Sequence, residues 1–235
     1  MRININLPWG AYVAEFLGTF VFVFVASGAV LSNIFYGDVG SLGVALATGL
    51  SLAAMIWATA AISGGHLNPA VTLAVWLTGK ISVINAVFYI ASQVLASFAA
   101  GGVLLYIFGD RAIRFNLGAP ILGADVAVGT ALLLEAILTA VLVFAVFATV
   151  VDRRGSVSFG PLVIGLVVVC GGIFAGPITG AALNPARAIG PAVITGSFTN
   201  LPIWILGPFA GSLFGLVYEF LFLRKIPEAK INSPF

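Results

Sequence analysis

The sequence predicts an all-α integral membrane protein, with six transmembrane helices and two re-entrant half-helices arranged as an inverted repeat. Three observations carry this reading. Sixty-one per cent of the 235 residues are hydrophobic and eight per cent are charged, against roughly a quarter charged in an ordinary soluble domain. Six apolar runs are long enough to cross a bilayer. The segment HLNPAV at 66–71 returns as ALNPAR at 182–187, in mirrored places of the two halves.

The spans come first. A helix rises ~1.5 Å per residue, so about 20 apolar residues cross ~30 Å of hydrocarbon. Runs of that length fall at about 10–32, 42–62, 83–108, 126–151, 159–176 and 201–223. The first contains Glu15 and continues past the length of a signal peptide, so it is read as retained. Two linkers, 63–82 and 177–200, are apolar but too short and too broken by Gly and Pro to cross.

Basic residues orient the spans. With the N-terminus inside, the cytoplasmic side holds Arg2, Lys80, Arg153, Arg154, Arg224, Lys225 and Lys230, and the outer side holds Arg111 and Arg114. This is a positive-inside bias, with both termini cytoplasmic. The cytoplasmic loop DRRGS (152–156) presents Ser156. Arg187 belongs to neither side. The basic residues are too scattered for a nucleic-acid footprint. The single cysteine, Cys170, excludes an intrachain disulfide and reads as a small packing residue inside an apolar run. One histidine and no nucleophile–base constellation argue against a metal site and against an enzyme.

The halves repeat. Residues 49–71 match 165–187 at a constant offset of 116, and AEFLGTFVFVF at 14–24 is echoed by LEAILTAVLVF at 134–144. The first repeat is 1–110, an extracellular connecting loop follows at 111–125, and the second repeat is 126–235. Each half has three spans. Three is odd, so the second half enters from the opposite face. Asn68 to Thr78 and Asn184 to Thr195 read as helices with Asn as N-cap and Pro at the first helical position. Their length, about 17 Å, reaches half-way through the hydrocarbon, so their N-termini meet near the midplane.

Non-helical backbone at that depth survives only when buried in protein or lining a wet cavity. The small residues of SGGH and TGAA before the two caps let carbonyls point inward. Each capping Asn spends its side-chain oxygen on its own helix and keeps its NH2 free to donate. The pattern predicts a wet central path lined by acceptors, with two amide donors and two positive helix ends at its middle.

The paired SGGHLNPAV and TGAALNPAR, with Glu15, Glu135, Gln93 and GPFAG at 207–211, resemble the aquaporin family of major intrinsic proteins over nearly the whole chain. The resemblance implies a homotetramer in the cell membrane, with one passive single-file pore per subunit, no cofactor, and water and small neutral solutes as permeants. By motif, the midplane constriction falls on Asn68, Pro69, Ala70, Asn184, Pro185 and Ala186. The acceptor ladder falls on the carbonyls of Gly64, Gly65, His66, Gly180, Ala181 and Ala182, and Glu15 and Glu135 brace the loops. The selectivity filter falls on Thr48, Gly172, Ala181 and Arg187. A hydrated Arg187 supplies fixed donors and repels cations, which accounts for the missing carboxylate.

Water-selective members pair an aromatic with a histidine at the first two filter positions, and glycerol facilitators carry tryptophan, glycine and phenylalanine at the first three. Here three positions are small, which predicts a wide filter that passes glycerol, urea, ammonia or hydrogen peroxide as well as water. Two alternatives stand beside this: a water-selective pore whose filter is filled by Phe174 or Trp57, and an ion-coupled transporter in which Glu15 or Glu135 faces the path. His66 reads as a pore-lining or packing residue, with a pH gate as the sharper option.

Overall fold

A computed structural model describes residues 8–155 and 157–224, with the side chain of Val157 left aside. Arg2, Ser156, Lys225 and Lys230 lie outside the described residues. Every regular element among the described residues is helical, and there is no strand. Its elements are α1 (Trp9–Tyr36), α2 (Gly40–Ser63), α3 (Pro69–Leu77), α4 (Val83–Phe108), α5 (Val128–Val146), α6 (Gly160–Thr179), α7 (Pro185–Thr195), α8 (Leu201–Ser212) and α9 (Phe214–Tyr218). Six segments are long and apolar enough to span: α1, α2, α4, Val128–Val151, α6 and Leu201–Leu223. Their ends fall within four residues of the expected runs, and Val83–Phe108 and Leu201–Leu223 coincide with them. The short α3 and α7 are the two half-helices.

The spans pack as α1 on α2 and α4, α5 on α8, and α2 on α6. At the last crossing Gly49 meets Gly165, its mate at offset 116. A Cβ on Gly49 would run into the Gly165 carbonyl oxygen, and a Cβ on Gly165 into the Gly49 oxygen. The backbones touch there because neither residue has a side chain. Backbone cannot yield as a flexible side chain does. Gly49→Val is therefore expected to destabilise by about 3 kcal/mol, the upper end for overpacked cores, read as a lower thermal midpoint in detergent.

Large apolar residues such as Leu50, Leu133 and Ile173 are exposed on the outer faces, as spans in hydrocarbon require. Cys170 is exposed there too. The 111–125 loop is not plain coil. Asp110–Gly118 forms a 3₁₀ segment interrupted by left-handed Asn116 and Leu117. Arg111 stacks on Phe35 at 4.3 Å. The loop then returns inward, with the Gly123 N–H bonded to the Ile178 carbonyl at 2.9 Å.

At its C-terminal end α5 passes into a π-helical turn, Phe147–Val151, closed by the Asp152 N–H on the Phe147 carbonyl at 2.7 Å. Arg154 donates Nε and Nη2 to the Asp152 carboxylate and Nη2 again to the Phe222 carbonyl, and Tyr218 Oη donates to Asp152 at 3.2 Å. The hydrogen bonds from Arg154 hold the Asp152 carboxyl below the usual carboxylate range. The latch ties the end of α5 to the end of the last span.

Candidate functional site

The two LNP loops are held from behind by matched sets of bonds. Glu15 is fully buried in α1. It accepts from Ser63 Oγ at 2.7 Å, the His66 N–H at 2.9 Å and the Leu67 N–H at 2.7 Å. Glu135 is fully buried in α5. It accepts from Thr179 Oγ1 at 2.7 Å, the Ala182 N–H at 3.0 Å and the Leu183 N–H at 2.9 Å. Tyr89 Oη bonds the Ser63 carbonyl as Trp204 Nε1 bonds that of Thr179, both at 2.8 Å. The halves differ at Gln93, whose Nε2 reaches Glu15 at 2.7 Å and Thr72 Oγ1 at 3.0 Å. No strand or helix supplies these loop amides with partners, so the carboxylates do.

At the midplane the caps form as the motif requires: Asn68 Oδ1 accepts from the Ala70 N–H at 2.8 Å and Asn184 Oδ1 from the Ala186 N–H at 2.9 Å. Pro69 and Pro185 occupy the first helical positions. The sequence leads one to expect free amide NH2 groups, and the structure corrects this: each is partly committed across the midplane. Asn68 Nδ2 donates to the Leu183 carbonyl and Asn184 Nδ2 to that of Leu67, each at 2.8 Å. Each loop thus clasps the other, and one N–H per asparagine remains. Leu67 and Leu183 have φ of 49° and 52°. Such left-handed backbone is uncommon for a branched apolar residue and persists only where its surroundings fix it.

Two cavities lie on either side of this clasp. The outer, of about 300 Å³, is lined by all four positions Thr48, Gly172, Ala181 and Arg187, and also by Val30, Asn33, Pro120, Ile121 and Val168. Arg187 is 4% exposed. Its Nη1 donates to the carbonyls of Gly180 at 2.7 Å and Ala181 at 3.0 Å, while its Nε is buried without a protein partner. Those two carbonyls therefore position the arginine, and each keeps a second lone pair beside the outer cavity they line. Neither ion pair among the described residues involves Arg187.

The inner cavity, of about 30 Å³, is lined by Gly64, Gly65, His66, Asn68 and Val71 from the first loop and half-helix, with Leu52, Ile56, Leu142, Val146, Val150 and Ile164. His66 Nδ1 lies 3.2 Å from Thr72 Oγ1, and its ring packs edge-on to Tyr89. Ala182 is buried but lines neither cavity. Neither Glu15 nor Glu135 lines one. A third cavity, of about 70 Å³, lies between α7, α8 and the returning outer loop, off this axis.

Phe174 and Trp57 are 61% and 51% exposed on the outer surface, and Trp57 Nε1 donates to the Ser158 carbonyl. They do not fill the outer cavity. Pro120 and Ile121 went unread in the sequence, since nothing local signals that the outer loop turns back over the mouth. Val168 was within reach, one helical turn from Gly172 on α6.

The chain matches the family described as Major intrinsic protein over residues 3–218. It is 42% identical over 235 residues to the probable aquaporin TIP4-1 of Oryza sativa subsp. japonica, covering 96% of this chain and 92% of that protein. It is 42% identical over 223 residues to the lens fiber major intrinsic protein of Lithobates pipiens, covering 93% and 83%. Among solved structures, the aquaglyceroporin from Plasmodium falciparum superposes with a TM-score of 0.82 at 25% identity, covering 92% of this chain and 98% of that one.

Proposed function

This chain belongs to the major intrinsic protein family, integral membrane channels for water and small solutes rather than enzymes, and on that premise we propose that it is a passive pore for water and small uncharged solutes such as glycerol, urea, ammonia or hydrogen peroxide. The observation that carries the solute range is the outer cavity, in which three of the four filter positions are small and the fourth is Arg187. Solutes pass in single file by exchanging hydrogen bonds with Arg187 Nη2, the Thr48 hydroxyl and the spare amide protons of Asn68 and Asn184. Protons and cations are turned back by Arg187 and by the facing positive ends of α3 and α7.

The transporter reading loses support because both buried glutamates are committed to loop amides and line neither cavity. The surplus of basic residues on the Lys80, Arg153 and Arg154 side supports cytoplasmic termini in a cell membrane. A homotetramer with four separate pores belongs to the same reading.

Light scattering of proteoliposomes after an osmotic jump tests it. The expected result is fast shrinkage with an impermeant solute, then fast re-swelling with urea or glycerol. Water flux with no solute flux would make the pore water-selective. Gly172→His adds bulk where a Cβ would lie 3.1 Å from the Ala45 Cβ. It is expected to slow urea and glycerol at least tenfold while slowing water less.

A further inference from the structure

The constant offset of 116 residues pairs positions of one half with positions of the other. Applied to the outer filter, it pairs Thr48 with Ile164, Gly172 with Ile56, Ala181 with Gly65, and Arg187 with Val71. These four mates come together in space. All of them line the inner cavity, as their partners line the outer one. The repeat therefore builds two rings of the same plan, at opposite ends of one path.

The rings differ in bulk and charge. The outer has a hydroxyl and a bare glycine where the inner has two isoleucines, each 3% exposed. Along α2 the lining runs Thr48, Leu52, Ile56, and along α6 it runs Gly172, Val168, Ile164. On both helices the residue at the outer end is small and the ones nearer the cytoplasm are branched and apolar. An isoleucine in a helix is nearly confined to one χ1 rotamer, so it does not swing aside as a longer side chain does. The Ile56 side chain also sits against the Gly65 backbone, where an added Cβ would lie 3.3 Å from its Cγ2. Val150, carried by the π turn, adds a further branched side chain to the same cavity. The inner cavity, at about 30 Å³, has about a tenth of the room of the outer one, at about 300 Å³. With Val71 in the place of Arg187, the inner ring carries no charge.

We propose, on the channel reading above, that the upper size limit for solutes is set at the inner ring by Ile56 and Ile164, while the outer ring sorts by charge. A solute too wide for the inner ring enters the outer cavity and does not cross.

The test uses the full chain in liposomes, with Ile56→Ala, Ile164→Ala, the double alanine variant, and Ile56→Val and Ile164→Val. Permeability is measured for water, urea, glycerol and the four-carbon polyol erythritol. Wild type is expected to exclude erythritol. The double alanine variant is expected to admit it and to raise the glycerol-to-water permeability ratio at least fivefold, with the valine variants in between. The valine variants each lose one carbon, so the comparison survives if the alanine forms do not fold. An unchanged ratio in every water-conducting variant, or a wild type that passes erythritol as fast as glycerol, would overturn the proposal. Folded wild type that conducts no water would overturn the channel reading itself and this proposal with it.

Discussion

Glu135→Leu is expected to yield no folded channel. The carboxylate lies fully inside the protein and is the acceptor for the Ala182 and Leu183 N–H groups and for the Thr179 hydroxyl. Leucine fills the space but accepts nothing, so three donors are stranded where water does not reach. Each buried unsatisfied group costs about 1–3 kcal/mol, so the total, roughly 3–9 kcal/mol, rivals the whole stability of an ordinary domain. The Leu183 carbonyl would also lose its place opposite Asn68, and the midplane clasp would open. Glu135→Gln is the graded control. Its oxygen still accepts, but its NH2 faces a donor. The expected results are loss of the monodisperse peak in detergent for the leucine variant, and a lower thermal midpoint with at least tenfold less water flux for the glutamine variant. Wild-type flux from Glu135→Leu would show that the loop holds its shape without the carboxylate.

Arg187→Val copies the inner mate Val71 into the outer ring, and proton tightness is expected to fall at least tenfold relative to water permeability. Two like charges about 4 Å apart repel by about 4 kcal/mol at an effective dielectric of ~20, and water in the path screens part of that. What remains after the substitution is the field of two short helix ends, worth ~0.3–1 kcal/mol each near a surface. The measurement is the decay of an imposed pH gradient across proteoliposomes, followed with an entrapped dye. If the inner ring limits size, erythritol stays excluded in this variant even though its outer ring is wider. A variant as proton-tight as wild type would place the barrier at the half-helix ends alone.

Much of the architecture was legible because the rules that produce it act locally along the chain. Six runs of apolar residues had to be helices, since a span in hydrocarbon must satisfy its own backbone. Asn68-Pro69 and Asn184-Pro185 had to start helices, because a side-chain acceptor and a missing N–H suit that one position. The offset of 116 residues and the odd number of spans in each half required inversion.

The tertiary structure decided what depends on partners more than a hundred residues away. The cross-donation from Asn68 to Leu183 and from Asn184 to Leu67 joins opposite halves. Trp57, exposed on the outer surface, likewise donates to the Ser158 carbonyl of the other half. A soluble helix marks its buried face by contrast with its polar one. In a bilayer the lipid-facing and protein-facing sides are both apolar, so hydropathy could not separate Ile164, which lines the inner cavity, from Leu166, which is exposed. Sequence alone determined which segments cross, where the half-helices begin and that the halves are inverted. Packing across the two halves decided which faces enclose the path and how wide it is at each end, because only contact between distant helices distinguishes one apolar face from another.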